Sequence, residues 1–548
     1  MTLFFSFILA MFVTMSLIPL LMRKAEHWQF VDVPDQRKLH HNAVPRIGGI
    51  AMVVGAVIPI VMWLTINTTV VALLLGIAVI FGFGVWDDRK NLNYKIKFLG
   101  QSIGVLIVIV WGGVKISVLP FAGLQPAPDY IAIPLTFLFL IGITNAINLS
   151  DGLDGLAGGT TLLSFGVIAV LGYFERDVVV VLVSIAVLGS ILGFLRFNTH
   201  PARIFMGDGG SQFLGFAVGV LAVMLTQHFD TSLSPALPLL LLGLPILDTL
   251  LVMGQRIYEK RSPFSPDRYH IHHKLLALGF DHYEAVFIIY VLQSVLVVSA
   301  YFLRYQSDIV LVSLYLLFCA IVITFFRLAH IRQWRLRAEP DINVRPLIAK
   351  SVKWFRKYQY DGKVSEWAFY IAMVTTPVFL LASALHAPRV SMDIGVLALL
   401  LLLITVAVNA IGKSQSPGFA DRIGLYVTCT LVIYLNHTLD QYSDSAVLLI
   451  NGYLILLGLV VAAGFKYCKD SNFKLTTLDF LVIFIAFLMP NLPGLDIGGA
   501  LEIAIAQLLV LYYAVELILS NIRHRVTMLK PIMLAIFSVF AVKAFLLN

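Results

Sequence analysis

Charge is scarce in this chain. Asp, Glu, Lys and Arg make up only 13% of its 548 residues, where soluble domains carry about 25%. That deficit excludes an ordinary water-facing globule and a charged disordered tail. Cysteine is nearly absent too. Cys319, Cys429 and Cys468 lie far apart and show neither disulfide nor metal-ligand spacing. No basic residue precedes the first apolar run, "TLFFSFILAMFVTMSLIPLL", so it is expected to be a retained span rather than a cleaved signal peptide. No internal repeat or low-complexity segment breaks the rest. The excess of 39 Lys and Arg over 31 Asp and Glu argues for no nucleic-acid partner, because of where it falls.

Apolar residues fill the space that charge leaves. The chain is 59% hydrophobic, with a mean hydropathy of +0.90. Runs of about 18–25 apolar residues recur, each able to cross roughly 30 Å of hydrocarbon as a helix. They predict an all-α polytopic membrane protein. Spans are expected near 3–22, 47–66, 68–86, 97–112, 129–147, 157–174, 178–195, 210–228, 236–255, 284–303 and 308–326. A further set is expected near 367–386, 392–411, 422–436, 445–465, 475–490, 500–520 and 530–547. Three regions follow: a membrane-embedded domain over 1–326, a basic linker over 327–365, and additional membrane helices over 366–548.

Basic residues crowd into alternate loops, while the intervening ones hold only Lys115, Arg176, Arg304 and Arg389. The positive-inside rule makes the basic set cytoplasmic and puts the N-terminus outside. Part of that charge would meet anionic membrane lipids or phosphates.

The polar clusters share the basic side. "NAINLSDGLDGLAGG" places Asn145, Asn148, Asp151 and Asp154 three residues apart. A regular α-helix turns about 300° in three residues, so a common direction requires a tightened or broken helix end. The helix that follows would offer its free N–H groups to a phosphate; the alternative is a hydrated turn. "WDDRKNLNYKIKFLGQ" pairs Asp87 with Asp88 at a helix exit, where adjacent carboxylates repel unless a cation lies nearby. Oxygen-only ligands suit Mg²⁺ or Mn²⁺, and Lys95 and Lys97 could meet phosphate. "MGDGGSQFLG" sets Asp208 among glycines, either as a metal ligand or as a helix cap. "SPFSPDRYHIHHK" gathers Arg268, His270, His272 and His273. Lacking a Cys or Glu partner at zinc spacing, they read as donors to phosphate or sugar oxygens. "DVPDQRKLHHNAVPRIGG" adds Lys38 and Arg46, as ligands or as positive-inside anchors. Asp248 lies inside a span, where a carboxylate must face protein or water.

Five of these stretches ("PRIGG", "DDRKNLNYKIKFLGQ", "NAINLSDGLDGLAGG", "MGDGGSQFLG" and "SPFSPDRYHIHH") give the chain a likeness to a known family. In that order, over about residues 35–280, it resembles the polyprenyl-phosphate N-acetylhexosamine-1-phosphate transferases, glycosyltransferase family 4. The "HIHH" form looks like the WecA-like branch, which uses UDP-N-acetylglucosamine. The resemblance implies transfer of a sugar 1-phosphate from a UDP-sugar to undecaprenyl phosphate at the bacterial inner membrane, with release of UMP and with Mg²⁺ or Mn²⁺. It implies that Asp208 ligates the metal. Asp87 and Asp88 would form the polyprenyl-phosphate side, as metal-associated ligand or proton acceptor, with Asp88 as the second metal residue. Asn148, Asp151 and Asp154 would hold the nucleotide, and Arg268, His270, His272 and His273 the diphosphate or sugar. A homodimer is compatible with this layout. A lipid-linked sugar flippase is the alternative from another class; it would place its polar groups within the spans. The family pattern leaves 366–548 without a role.

Overall fold

Backbone groups in hydrocarbon must satisfy one another, and the computed structural model of the chain is accordingly helical. It describes residues 2–32, 43–121, 123, 125–227, 231–262, 269–334, 362–387, 390–411, 419–438, 444–467, 498–521 and 530–546. Lys38, Arg268 and the span expected near 475–490 fall outside the described residues. Among them, eleven helices are long and apolar enough to cross a bilayer. The protein is a multi-pass membrane protein. It divides into two compact units, one built from Met1–Pro340, the other from Asp341–Leu475 and Asp479–Asn548.

The first unit runs α1 (Thr2–Lys24), β1 (Val31–Asp32), β2 (Val44–Pro45), α2 (Gly48–Trp63), α3 (Thr68–Lys90), α4 (Tyr94–Leu106), α5 (Asp129–Ser150), α6 (Leu156–Phe174), α7 (Val178–Asn198), α8 (Gly207–Thr226), α9 (Pro238–Leu241), α10 (Gly243–Tyr258), α11 (Ile271–Ala277), α12 (His282–Phe302) and α13 (Asp308–Ile331). A five-residue π-helical turn, Ile107–Trp111, extends α4. The core is made by α6, α7 and α8, whose side chains are buried almost all round. Helices apolar on every face belong at such a centre. Around it, α1 packs on α2 and α7, and α3 and α5 both pack on α8.

The expected span at 236–255 is broken in two at Leu242. Neighbouring side chains satisfy the freed carbonyls. Ser164 Oγ and Gln293 Nε2 donate to Leu241 O at 2.8 and 2.9 Å, and Tyr315 Oη donates to Gly243 O at 3.0 Å. The break is stable in the bilayer because three other helices supply those donors.

Chain direction alternates from span to span. The ends of α1, α3, α5, α7 and α10 and the starts of α2, α4, α6, α8, α11 and α12 therefore gather on one side. All the described residues in the polar sequence clusters lie there. The second unit comprises Gly362–His386, Met392–Ile411, Phe419–Thr438, Asp444–Tyr467, Gly498–Asn521 and Lys530–Leu546.

Candidate active site

The acid pair sits on the last turn of α3 rather than beyond it. Asn67 starts this helix by accepting from Val70 N. Asn91 ends it in the left-handed conformation, donating its N–H to Asp87 O. Arg89 and Lys90 in the last turn suit the negative helix end. This extra turn fixes Asp87 and Asp88 on a rigid element.

Asp88 spends both carboxylate oxygens on the start of α8. Asp208 N donates to Oδ1 at 2.7 Å and Gly209 N to Oδ2 at 3.0 Å. A carboxylate across two free N–H groups completes a helix start that has no cap of its own. Gly207 permits the approach. Its φ is +70°, and a Cβ there would stand 2.5 Å from Asp88 Oδ2. Only glycine meets both demands at once.

Asp87 is buried, and its Oδ1 accepts from Leu92 N at 2.6 Å. Its other oxygen pairs with Lys97. Lys97 Nζ also reaches Asp208 Oδ2 at 2.9 Å, so one ammonium bridges two carboxylates from different helices. Lys95 is exposed, and its N–H caps α4 on Asn93. One turn beyond Lys97, Gln101 bonds Asn145 on α5 and Gln212 on α8.

The "NAINLSDGLDGLAGG" residues do not share one direction. Asn145 turns to Gln101, while Asn148 Nδ2 donates to Ser211 Oγ on α8 at 3.0 Å and lies beside Asp208. Asp154 turns the other way. Its Oδ2 receives His200 Nδ1 at 2.7 Å and Ala202 N at 3.0 Å. The helix stops at Ser150 and its successor begins after a left-handed Gly155, so the last two acids leave the helical surface. His282 Nε2 contacts Asp154 O at 3.2 Å, and its ring stacks on His200 at 4.0 Å, 20° from parallel. Asp154, His200 and His282 bring ligand atoms within 4.8 Å. A metal lies near the plane of each imidazole it binds, however, and two stacked rings share no such position. The trio is a brace between the loop before α8, the 150–156 turn and α12.

Asp151 stays at the centre. Burial and the neighbouring Asp208 and Asp154 raise its carboxyl to about 7, partly offset by Arg46. Arg46 itself pairs with Asp32 at 2.6 Å. Asp154 goes the opposite way: its bonds to His200 and Ala202 outweigh burial and hold it below the usual range.

The His tract forms the short helix α11, which no hydropathy pattern announces. Asp248 positions it from within α10. Its Oδ1 caps Ile271 N at 2.7 Å and its Oδ2 meets His270 Nδ1 at 2.8 Å. The intramembrane carboxylate thus faces protein and orients a histidine. His272 is buried against the 150–156 turn; a Cβ on Gly152 would fall on its imidazole. Burial and the adjacent His273 push His272 down to about 3, so it is neutral and offers one N–H. His273 lies beside it, ring centroids 4.3 Å apart. Sequence reasoning missed His200, His282 and Gln101. The first two are isolated in sequence; Gln101 could have been found, one helical turn from Lys97 on the same face.

Asp87 and Asp208 thus present carboxylate oxygens within one polar cluster, with the Asn148 amide and Asp151 alongside. Hard oxygen donors of this kind, already balanced by one cation, fit Mg²⁺ or Mn²⁺. Residues 70–226 match glycosyl transferase family 4. A Bacillus subtilis protein named a probable undecaprenyl-phosphate N-acetylglucosaminyl 1-phosphate transferase is 38% identical over 320 residues, 58% of this chain and 88% of that protein. The Mycobacterium tuberculosis decaprenyl-phosphate N-acetylglucosaminephosphotransferase is 36% identical over 296 residues, 47% of this chain and 72% of its own. The Escherichia coli undecaprenyl-phosphate alpha-N-acetylglucosaminyl 1-phosphate transferase is 30% identical over 277 residues, 49% of this chain and 75% of its own. With such identity to and coverage of its relatives, this chain belongs to glycosyl transferase family 4.

Proposed function

We propose that the chain transfers N-acetylglucosamine 1-phosphate from UDP-N-acetylglucosamine to undecaprenyl phosphate, releasing UMP. The product would start a lipid-linked cell-surface polysaccharide. The names of the relatives support the polyprenyl-phosphate acceptor and the N-acetylglucosamine phosphate. The observation that carries the reading is the junction of α3, α4, α5 and α8, where Asp88 holds the Asp208 turn and Asn148 bonds Ser211.

An oxygen of the lipid phosphate attacks the sugar-bearing phosphorus, and the bond from that phosphorus to the UMP oxygen breaks. A phosphate monoester has a second pKa near ~6, so the attacking group is largely ionised at neutral pH without a protein base. The protein's task is placement and charge balance. Asp208 and Asp87 are the acids that would hold Mg²⁺ or Mn²⁺, with the remaining lone pairs of Asp88 beside them. Such an ion would neutralise the diphosphate. Asn148 and Asp151 would receive the nucleotide, and His272 and His273 would donate to phosphate or sugar oxygens. Asp154 serves by holding the turn on which Asp151 sits.

The basic loops support a bacterial inner-membrane protein with this site on the cytoplasmic side and the N-terminus outside. Purified protein offered a panel of UDP-sugars with undecaprenyl phosphate tests the assignment. UDP-N-acetylglucosamine should give the fastest UMP release; preference for another sugar would overturn the substrate, and no release with any sugar would overturn the reaction.

A further inference from the structure

Lys97 stands where two carboxylates should be most available to a cation. Its Nζ is bonded to Asp208 Oδ2 at 2.9 Å and to Asp87. The competing acceptor nearby, Asp88, is committed to two backbone N–H groups. Asp87 has given its other oxygen to Leu92 N. The oxygens under Lys97 are therefore ones that a metal held by Asp87 and Asp208 would need. An ammonium and a divalent ion cannot both occupy them. The lysine side chain is one-third exposed, against 5% for Asp87, and it projects from the first turns of α4 on a flexible four-carbon stem. It can leave while the acids stay.

We propose that Lys97 is a built-in counter-ion that holds the Asp87–Asp208 seat closed to free metal. It exchanges places with the ion only when a nucleotide diphosphate arrives to receive the displaced ammonium. Lys97 is then a positioning residue with two partners in turn: the acid pair in the resting protein, and a phosphate oxygen in the loaded one. The consequence is an order of binding. Metal alone binds weakly, and metal with nucleotide binds well, because only then does the ammonium find a new anion. This inference rests on the metal-dependent reading above and adds a regulation of that site.

Mn²⁺ alone, titrated into the full-length protein in detergent and followed by loss of the free-ion electron paramagnetic resonance signal, tests it. Lys97→Met and Lys97→Gln should bind Mn²⁺ about tenfold or more tighter than the unsubstituted protein, the scale of one partly screened charge. Lys97→Arg keeps the charge and should bind as weakly as the unsubstituted protein. Adding Asp208→Asn to Lys97→Met should abolish the gain. A structural salt bridge lost in a damaged site would weaken Mn²⁺ binding instead, so unchanged or weaker binding in both neutral variants overturns the exchange. If those variants are unchanged while Asp208→Asn still abolishes binding with UDP present, the exchange fails and the metal reading stands. If no variant binds Mn²⁺ even with UDP, both fail.

Discussion

The two units of this chain use their polar residues differently. Both have buried helices: in the first, α6 and α8 are 89% and 94% buried across their apolar windows; in the second, the helix Phe419–Thr438 is buried at most positions from Leu425 to Leu435. Both contain polar contacts. In the second they run between facing helices: Tyr426 with Glu516, Thr430 with Tyr512 at 2.5 Å, His437 with Gln507 at 2.9 Å. Those pairs tie two helices together. In the first, one set gathers at helix ends on one side and joins α3, α4, α5 and α8. A catalytic site needs oxygens converging on one point from rigid elements. Polar residues alone do not make one.

The comparison is broken most severely at the contact between Gly207 and Asp88. Gly207→Ala adds a Cβ against the carboxylate and forces an L-residue to φ +70°. Transferase activity should fall by about 10²-fold, the cost of a misplacement near 1 Å. Asp88→Asn keeps one acceptor for the two N–H groups and should lose about 10- to 100-fold, since a charge-assisted bond contributes about 1.5–3 kcal/mol. Activity assays across pH decide the role. If Asp88 places rather than deprotonates, high pH does not restore the variant; recovery at high pH would make it a base.

Asp151 gives a milder effect with a definite sign. A carboxyl raised to about 7 is ionised above that pH and protonated below it. If the ionised form receives nucleotide donors, kcat/KM rises as pH climbs through about 7. In Asp151→Asn that limb should disappear, leaving only the lipid phosphate's own titration near ~6. An unchanged profile would remove Asp151 from substrate binding. The smallest effect belongs to the second unit. Glu516→Gln should leave UMP release unchanged and lower the melting midpoint by a few degrees, about 2–4 °C for each kcal/mol lost. A collapse of activity there would merge the roles of the two units.

Much of this fold was legible because hydropathy alone dictates membrane helices, and among the described residues the expected spans other than 236–255 agree with the helices within a few residues. The break at Leu242 was not, although Gly243 and Pro245 mark it locally: Pro245 has no N–H to give Leu241 O. What lies distant in sequence is the compensation by Ser164, Gln293 and Tyr315. Nor was α11, seven residues long and started by Asp248 from another helix. The three-residue spacing of Asn145 to Asp154 was visible, but its partition into opposite directions was not. Periodicity states where a side chain leaves the backbone; Gln101, Ser211 and His200 decide where it ends. Lys97 and Lys95 look alike in sequence. Once α4 begins at Tyr94, they face about 200° apart and only Lys97 shares a face with Gln101.

One assay tests the central claim most directly: UMP released from UDP-N-acetylglucosamine by the purified full-length protein, with and without undecaprenyl phosphate and with and without Mg²⁺. The proposed reaction requires both the lipid and the ion for release and is lost in Asp208→Asn. Release that persists without either, or that survives Asp208→Asn, would contradict it.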